Sequence, residues 1–191
     1  IKVLRSLESM VNERGDQDKV LILQTGADSL PLRDRSVDIL LAIGVFYYLN
    51  NRFDNALDEA HRVLSTGGLL INSEPDLDGA IYKSICLEGL DDVVENFTHR
   101  HFKEQQGDTE FKFRLFSKKE VMMALDKHGF DVVDRHGLSL LPSLLRIKMV
   151  RGEFDVEQVE KLEKELRQVF DDLDGREGLH KHVIWKSRKR G

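Results

Sequence analysis

The chain has 191 residues, of which 40% are hydrophobic and 33% charged, and its formal net charge is −5. This size suffices for one domain with a hydrophobic core, and the acidic balance gives no reason to expect binding to nucleic acid or to anionic membranes. Cys86 is the single cysteine, no apolar run approaches the roughly 18 residues of a membrane span, and no signal peptide is recognised, so we expect a cytoplasmic protein without a disulfide.

The amino-terminal part of the chain predicts one helix and two strands. In residues 1–14 the apolar side chains fall near one helical face, and Gly15 is predicted to end this helix. Residues 19–24 (KVLILQ) and 36–43 (SVDILLAI) are short apolar runs rich in branched side chains. Such runs are typical of strands that are buried on both faces, and we predict two of them here.

A further helix and strand follow. Residues 52–64 carry apolar side chains at the spacing of an amphipathic helix, and the glycine pair Gly67 and Gly68 is predicted to stop it. Residues 68–72 (GLLIN) then predict a third buried strand.

The second half is predicted to contain, in order, a half-exposed strand, a helix, a strand, a charged helix and a strand, over residues 110–115, 117–128, 130–134, 155–171 and 180–185. Ser117 is predicted to cap its helix, and Glu120, three residues later, completes a capping box. Strands alternating with helices through short glycine-containing joints predict one α/β domain over residues 1–191, with helices on both faces of its sheet.

Polar or small residues follow three of the predicted strands. These stretches are 26–32 (GADSLPL), 44–49 (GVFYYL) and 73–76 (SEPD). Ligands of open α/β sheets bind in the crevice outside the carboxyl ends of the strands, so we expect the three stretches to meet there. Gly44 would let the backbone approach a ligand closely.

Several short motifs occur in a fixed order between residues 26 and 130. The residues that carry them are Ala27, Leu30, Pro31, Asp34, Ser36, Asp38, Gly44, Val45, Leu49, Glu59, Arg62, Val63, Leu64, Gly67, Gly68, Phe116, Ser117, Glu120, Leu125, Gly129 and Phe130. In this order they resemble the motifs of the class I S-adenosylmethionine-dependent methyltransferases, in particular the small-molecule type.

The resemblance implies a Rossmann-like sheet, mostly parallel with a carboxy-terminal antiparallel strand, and methyl transfer from S-adenosylmethionine to a small-molecule nucleophile. It also implies that the cofactor is bound by Gly26, Ala27, Asp28, Ser29, Ile43, Gly44 and Tyr47. The loop at residues 26–29 would cradle adenine, although Asp and Ser are also common in ordinary turns. The protein's main task would be to align the reactants and to exclude water.

The chain also departs from the family pattern. The glycine-rich cofactor loop is not found and would precede Ile1, so the first strand, first helix and second strand of the family are expected to be missing. The aspartate that the family places before Ala27 is Gly26 here. In the family that carboxylate would accept a hydrogen bond from the adenine amino group, and Asp28 is the candidate replacement. The family's histidine pair is replaced by two tyrosines.

Tyr47 and Glu74 are the candidate catalytic residues, and no dedicated base is identified. Tyr47 would line the methyl-transfer channel, with a core aromatic as the alternative. Glu74 and Asp76 would bind a cationic substrate or accept a proton, with a solvated loop as the alternative. No metal site is predicted, because the histidine pairs at 99/101 and 180/182 lack identifiable further ligands.

Two insertions are expected. Residues 76–114 are predicted to form a lid or substrate-binding segment, because they contain Phe97, Phe102, Phe111 and Phe113, and residues 142–178 form a second, helical one. The expected partner is a small-molecule substrate, with no membrane and no nucleic acid, and the oligomeric state is left open. Two other functions stay open: a non-catalytic module that binds a protein, and an RNA methyltransferase suggested by the basic carboxyl terminus.

Overall fold

The structure is a computed structural model and describes residues 2–87, 101–106, 109–139, 148, 151–153, 155–165 and 180–191. The elements are α1 (Lys2–Arg14), β1 (Val37–Ile43), a 3-10 helix (Phe46–Arg52), α2 (Phe53–Val63), β2 (Leu64–Pro75), α3 (Leu77–Leu87), β3 (His101–Gln106), β4 (Thr109–Arg114), α4 (Lys118–Lys127), β5 (Phe130–Ser139), α5 (Val156–Glu165) and β6 (His180–Lys189). Over these ranges, no helix has the length and apolar character that crossing a membrane requires.

The main sheet has four strands in the order β1-β2-β6-β5. Strand β1 runs parallel to β2, whereas β6 runs antiparallel to both of its neighbours. Three strands therefore share one direction and β6 opposes them, which confirms the predicted α/β sheet with an antiparallel carboxy-terminal strand. Strands β3 and β4 form a separate antiparallel pair.

Helices α2 and α4 pack their apolar faces on one side of the sheet. Helix α2 buries five side chains at helical spacing, Phe53, Ala56, Leu57, Ala60 and Val63. Val121 and Leu125 of α4 join the same cluster, together with Leu70 and Trp185 from the sheet. Because apolar side chains from four elements meet here, this cluster is the hydrophobic core that fixes the carboxyl ends of β1 and β2.

The predicted capping box at the start of α4 is confirmed. The Ser117 hydroxyl accepts a hydrogen bond from the Glu120 N–H at 3.2 Å, and the Ser117 N–H donates to Glu120 Oε2 at 2.8 Å. At the other end the chain turns through Gly129, whose φ is +83°. Glycine favours this left-handed conformation, so α4 ends where the sequence predicted.

The strand predicted at residues 19–24 is wrong. This segment pairs with none of the described strands, and Val20, Leu21 and Leu23 are exposed. The prediction that β1 is buried on both faces is also wrong. Leu40 and Ala42 pack with the core, but the alternate side chains Ile39, Leu41 and Ile43 are 57%, 65% and 56% exposed. Strand β1 is also an edge strand of the sheet.

The boundaries of several elements also differ from the predictions. Helix α2 ends at Val63, and the Gly67–Gly68 pair lies within β2 instead of stopping the helix. Strands β2, β5 and β6 are longer than predicted, because the ladder of β6 with both neighbours continues past the apolar runs. Residues 88–100, including Phe97, and residues 107–108 of the first predicted insertion lie outside the described residues. So do most of the second insertion and residues 166–171 of the predicted helix 155–171.

Candidate active site

The carboxyl ends of β1 and β2 lie side by side. Ile43 pairs with Ser73 in the parallel register, and the next N–H along the chain, that of Gly44, donates to Ser73 Oγ at 2.9 Å. Gly44 has a φ of +70°, a conformation that a side chain would strain. The stretches 44–49 and 73–76 therefore meet at one edge of the sheet, as their sequence positions predicted.

Glu59 and Arg62 of α2 hold the loop that precedes β1. Glu59 Oε1 accepts the Leu30 N–H at 2.6 Å, and Arg62 donates to the carbonyls of Leu30 at 3.0 Å and Leu32 at 2.8 Å. Hydrogen bonds from Arg62 keep the pKa of Glu59 below its ordinary value, so the carboxylate stays ionised. The sequence identified these two residues only as part of a motif, and the structure shows that they position the loop.

Asp28 occupies the space beside Gly26. A Cβ added to Gly26 would lie 2.6 Å from Asp28 Oδ1, which is closer than real Cβ contacts. Arg52 of the 3-10 helix donates to both oxygens of Asp28, at 3.2 and 3.1 Å. The carboxylate of Asp28 thus lies where a side chain at position 26 would begin, and its ion pair links the loop to the helix that carries Tyr47.

An apolar cavity of about 150 Å³ lies beneath this loop. Its lining residues are Ala27, Leu30, Leu40, Leu41, Ala42, Val45, Phe46, Ala56 and Ala60. An engineered apolar cavity of about this volume is large enough to bind benzene. Of the predicted cofactor residues, Ala27 lines the cavity and Ser29 closes the turn through its N–H, which donates to the Gly26 carbonyl at 3.1 Å. The Ile43 side chain is exposed on the opposite face of the sheet from α2.

Tyr47 is buried within an aromatic cluster. Its ring centroid lies 4.3 Å from that of Tyr48, 5.9 Å from Phe113 and 6.2 Å from His182. A Cβ added to Gly44 would be 3.7 Å from the Tyr47 hydroxyl, so this ring also reaches the end of β1. The ring therefore belongs to the hydrophobic core, which was the alternative considered for Tyr47, and its role in a methyl-transfer channel stays a prediction.

Glu74 and Asp76 are both buried, so the solvated-loop alternative is wrong for them. Asp76 forms an ion pair with Lys118 at 3.0 Å, which ties the end of β2 to α4. Glu74 is 1% exposed and accepts one hydrogen bond, from Asn72 Nδ2 to Oε1 at 2.9 Å. Its other oxygen, Oε2, has no hydrogen-bond partner among the described residues, and burial raises the pKa of Glu74 to about 8.

A second cavity and the search for metal-binding groups add no residues to this site. A cavity of about 230 Å³ is lined by side chains such as Asn51, Asp54 and Arg114 and includes none of the predicted site residues. In the described part of the chain, no group of three or more His, Cys, Asp or Glu side chains is arranged to hold a metal ion.

Comparisons with known proteins agree with this architecture. Residues 4–72 match the family described as "Methyltransferase domain". A search of curated proteins finds no match. A possible histamine N-methyltransferase from Thermotoga maritima is 21% identical, with a TM-score of 0.54, over 95% of this chain and 68% of that one.

Two further solved structures are similar. A putative S-adenosylmethionine-dependent methyltransferase from Listeria monocytogenes is 12% identical, with a TM-score of 0.60, over 94% of this chain and 73% of that one. A Burkholderia thailandensis 1,6-didemethyltoxoflavin-N1-methyltransferase, with its substrate and S-adenosylhomocysteine bound, is 14% identical, with a TM-score of 0.57, over 97% of this chain and 56% of that one.

The chain spans 60% of the [4+2]-cyclase SpnF and 65% of a methyltransferase from Methanosarcina mazei, less than two thirds of each. At these identities the solved structures show the fold alone. The family match covers residues 4–72, and the solved structures share the Rossmann-like fold of S-adenosylmethionine-dependent methyltransferases.

Proposed function

We propose that the protein transfers the methyl group of S-adenosylmethionine to a small-molecule nucleophile. The observation that carries this proposal is the loop at residues 26–32, which Glu59 and Arg62 fix above an apolar cavity at the carboxyl end of β1. Because SpnF has this fold and is a cyclase, fold alone would not suffice. A fixed polar loop over an apolar slot suits a flat ring that carries hydrogen-bonding groups at its edge.

The residues present fit the adenine part of this cofactor. Ala27 and its apolar neighbours offer a carbon-lined surface to the ring, and the carboxylate of Asp28 offers an acceptor to an amino group. We propose that Asp28 replaces the aspartate that the family places at position 26. When bound, the cofactor supplies a methyl group on a sulfonium that a nucleophile can displace. The buried Tyr47 would help to exclude water from that reaction.

We further propose that residues 76–114 cover the crevice. The support is that Phe113 of β4 contacts the ring of Tyr47 and that Asn50 of the 3-10 helix donates to the Lys112 carbonyl at 3.2 Å. A segment in this place can open for exchange and close for the reaction.

Titration calorimetry with S-adenosylhomocysteine tests the proposed site. Asp28→Asn should weaken binding by roughly 10- to 150-fold, because a hydrogen bond to a charged group contributes about 1.5–3 kcal/mol. The matched control is Asp38→Asn, which removes an exposed carboxylate at the start of β1 and should leave the affinity unchanged. Equal affinities of the wild type and Asp28→Asn would contradict the assignment of Asp28.

Gly26→Asp gives a second test of the same position. In the wild-type background the new Cβ displaces the Asp28 carboxylate, since the two would be 2.6 Å apart. The double variant Gly26→Asp/Asp28→Ser removes this conflict and restores the family pattern. It should recover the affinity that Asp28→Asn loses, and a double variant as weak as Asp28→Asn would argue against the alignment of Gly26 with the family aspartate.

A specific observation also favours the second candidate, a module that binds a protein partner. Ile39, Leu41 and Ile43 form an exposed apolar row on β1, and such patches often mark protein interfaces. One similar structure, 14% identical with a TM-score of 0.52, is a complex between the Haloferax volcanii Trm112 methyltransferase activator and a putative methyltransferase. A folded protein that binds no S-adenosylhomocysteine at millimolar concentration would favour this candidate.

A further inference from the structure

Glu74 is a buried carboxyl group without a cationic partner among the described residues. It is 1% exposed, Asn72 binds Oε1, and Oε2 accepts no hydrogen bond there. Asp76, two residues later at the same edge of the sheet, is also buried, but its carboxylate forms an ion pair with Lys118 at 3.0 Å. A buried and unsatisfied carboxyl group is costly to the fold, and such groups concentrate at functional sites.

Glu74 also lies at the edge of the sheet where the candidate site is built. It directly follows Ser73, whose hydroxyl binds the Gly44 N–H, so it lies at the shared carboxyl edge of β1 and β2. In the antiparallel register its partner is Val183, beside His182, whose ring contacts Tyr47. Glu74 and these aromatic rings therefore lie at the carboxyl ends of the strands, where the crevice for the methyl donor is proposed.

Other titratable groups lie on the described elements around this edge. Tyr47 comes from the 3-10 helix, Lys181 and His182 from β6, and the Asp76–Lys118 pair from the junction of β2 and α4. Burial lowers the pKa of His182, so this ring adds no positive charge near neutral pH. Since no described residue forms an ion pair with Glu74, a bound ligand can supply the cationic partner of its carboxylate.

We propose that Glu74 accepts a proton from the methyl acceptor, and that this acceptor is a small amine. This inference rests on the proposed function. An ammonium nitrogen has no lone pair, so it cannot attack a methyl group until one N–H proton moves to ionised Glu74 Oε2. The freed lone pair then forms the N–C bond while the S–C bond breaks, and the electrons of that bond remain on sulfur as a neutral thioether. The methylated ammonium departs, and Glu74 returns its proton to water.

The proposal makes the reaction depend on pH. Burial raises the pKa of Glu74 to about 8, and its ionised form is the active one. Amine methylation should therefore increase as the pH rises through about 8, and this limb of the profile should vanish in Glu74→Gln. Aromatic rings such as Tyr47 and Phe113 suit a substrate that carries both a flat ring and a cation.

The experiment compares 2-phenylethylamine with 2-phenylethanol, which share a carbon skeleton and differ in the nucleophile. Release of S-adenosylhomocysteine from S-adenosylmethionine is measured with each compound. The wild type should turn over the amine at least about tenfold faster than the alcohol, and Glu74→Gln should lower kcat for the amine by roughly 100-fold or more. The matched control is Asp131→Asn, which removes a mostly exposed carboxylate near the start of β5 and should change neither value.

Three outcomes would overturn the proposal: equal turnover of amine and alcohol, no turnover of the amine, or full amine turnover by Glu74→Gln. Thermal unfolding of each variant shows whether it is folded, and Gln preserves the size and hydrogen bonding of a protonated Glu. Binding of S-adenosylhomocysteine is measured separately on the same samples. Its loss in the wild type contradicts the proposed function, whereas intact binding without amine preference contradicts only the role of Glu74.

Discussion

The carboxyl group of Glu74 is buried in the folded protein and meets water when the chain unfolds. Its pKa is about 8 when folded against an ordinary value of 4.5, so between these pH values the folded state holds a proton that the unfolded state has released. The resulting stabilisation is complete below pH 4.5 and is lost as the pH rises towards 8. We expect the free energy of unfolding to fall in this window by up to about 1.4 kcal/mol per pH unit.

Urea denaturation at a series of pH values measures this slope. Glu74→Gln cannot ionise, so the difference between wild type and variant should grow in favour of the variant from pH 5 to pH 8. Parallel stability curves for the two proteins over that window would show that the pKa of Glu74 is not raised by its burial.

At the scale of elements, helix α4 begins at a cap that the sequence alone identifies. Ser117→Ala removes the acceptor for the Glu120 N–H, and we expect a loss of about 1 kcal/mol in the free energy of unfolding. Ser117→Thr retains the hydroxyl and should lose much less. Chemical denaturation distinguishes the two, and equal losses would mean that the hydroxyl of residue 117 does not support α4.

Helices α2 and α4 could be predicted closely because their signals are local: apolar spacing in both, and in α4 also a cap and a terminating glycine. Residues 19–24 have an equally strong apolar pattern, yet a strand also needs a neighbouring strand, and composition does not reveal whether one is present. The same distinction between local and long-range signals applies to the candidate site. Gly44 and Glu74 were placed correctly at strand ends, whereas the ion pair of Arg52 with Asp28 and the hydrogen bond from Arg62 to the loop depend on contacts between distant parts of the chain.

At the scale of the whole molecule, β1 presents an unpaired edge and an apolar face among the described strands. The exposed row Ile39, Leu41 and Ile43 lies on that edge, and flat apolar edges favour association between chains. We expect the isolated chain to self-associate and Leu41→Lys to shift it towards the monomer, as measured by sedimentation velocity over a concentration series.

The matched control is Leu7→Lys, which places the same charge at an exposed leucine of α1, away from the sheet. It should leave the distribution of species unchanged. A wild-type chain that is monomeric at high concentration, or an equal response to both lysines, would show that the edge of β1 does not mediate association.

The place of β6 in the sheet has a consequence for how the protein is made. This strand follows the other three in the chain but lies between β2 and β5, and it brings Trp185 into the core. Its pairing with β2 joins residues as far apart as Leu69 and Arg188, so the sheet cannot close while β6 is still inside the ribosome. Until then β2 and β5 each expose an open edge, and we expect a nascent chain stalled before His180 to be bound by chaperones or cleaved by proteases.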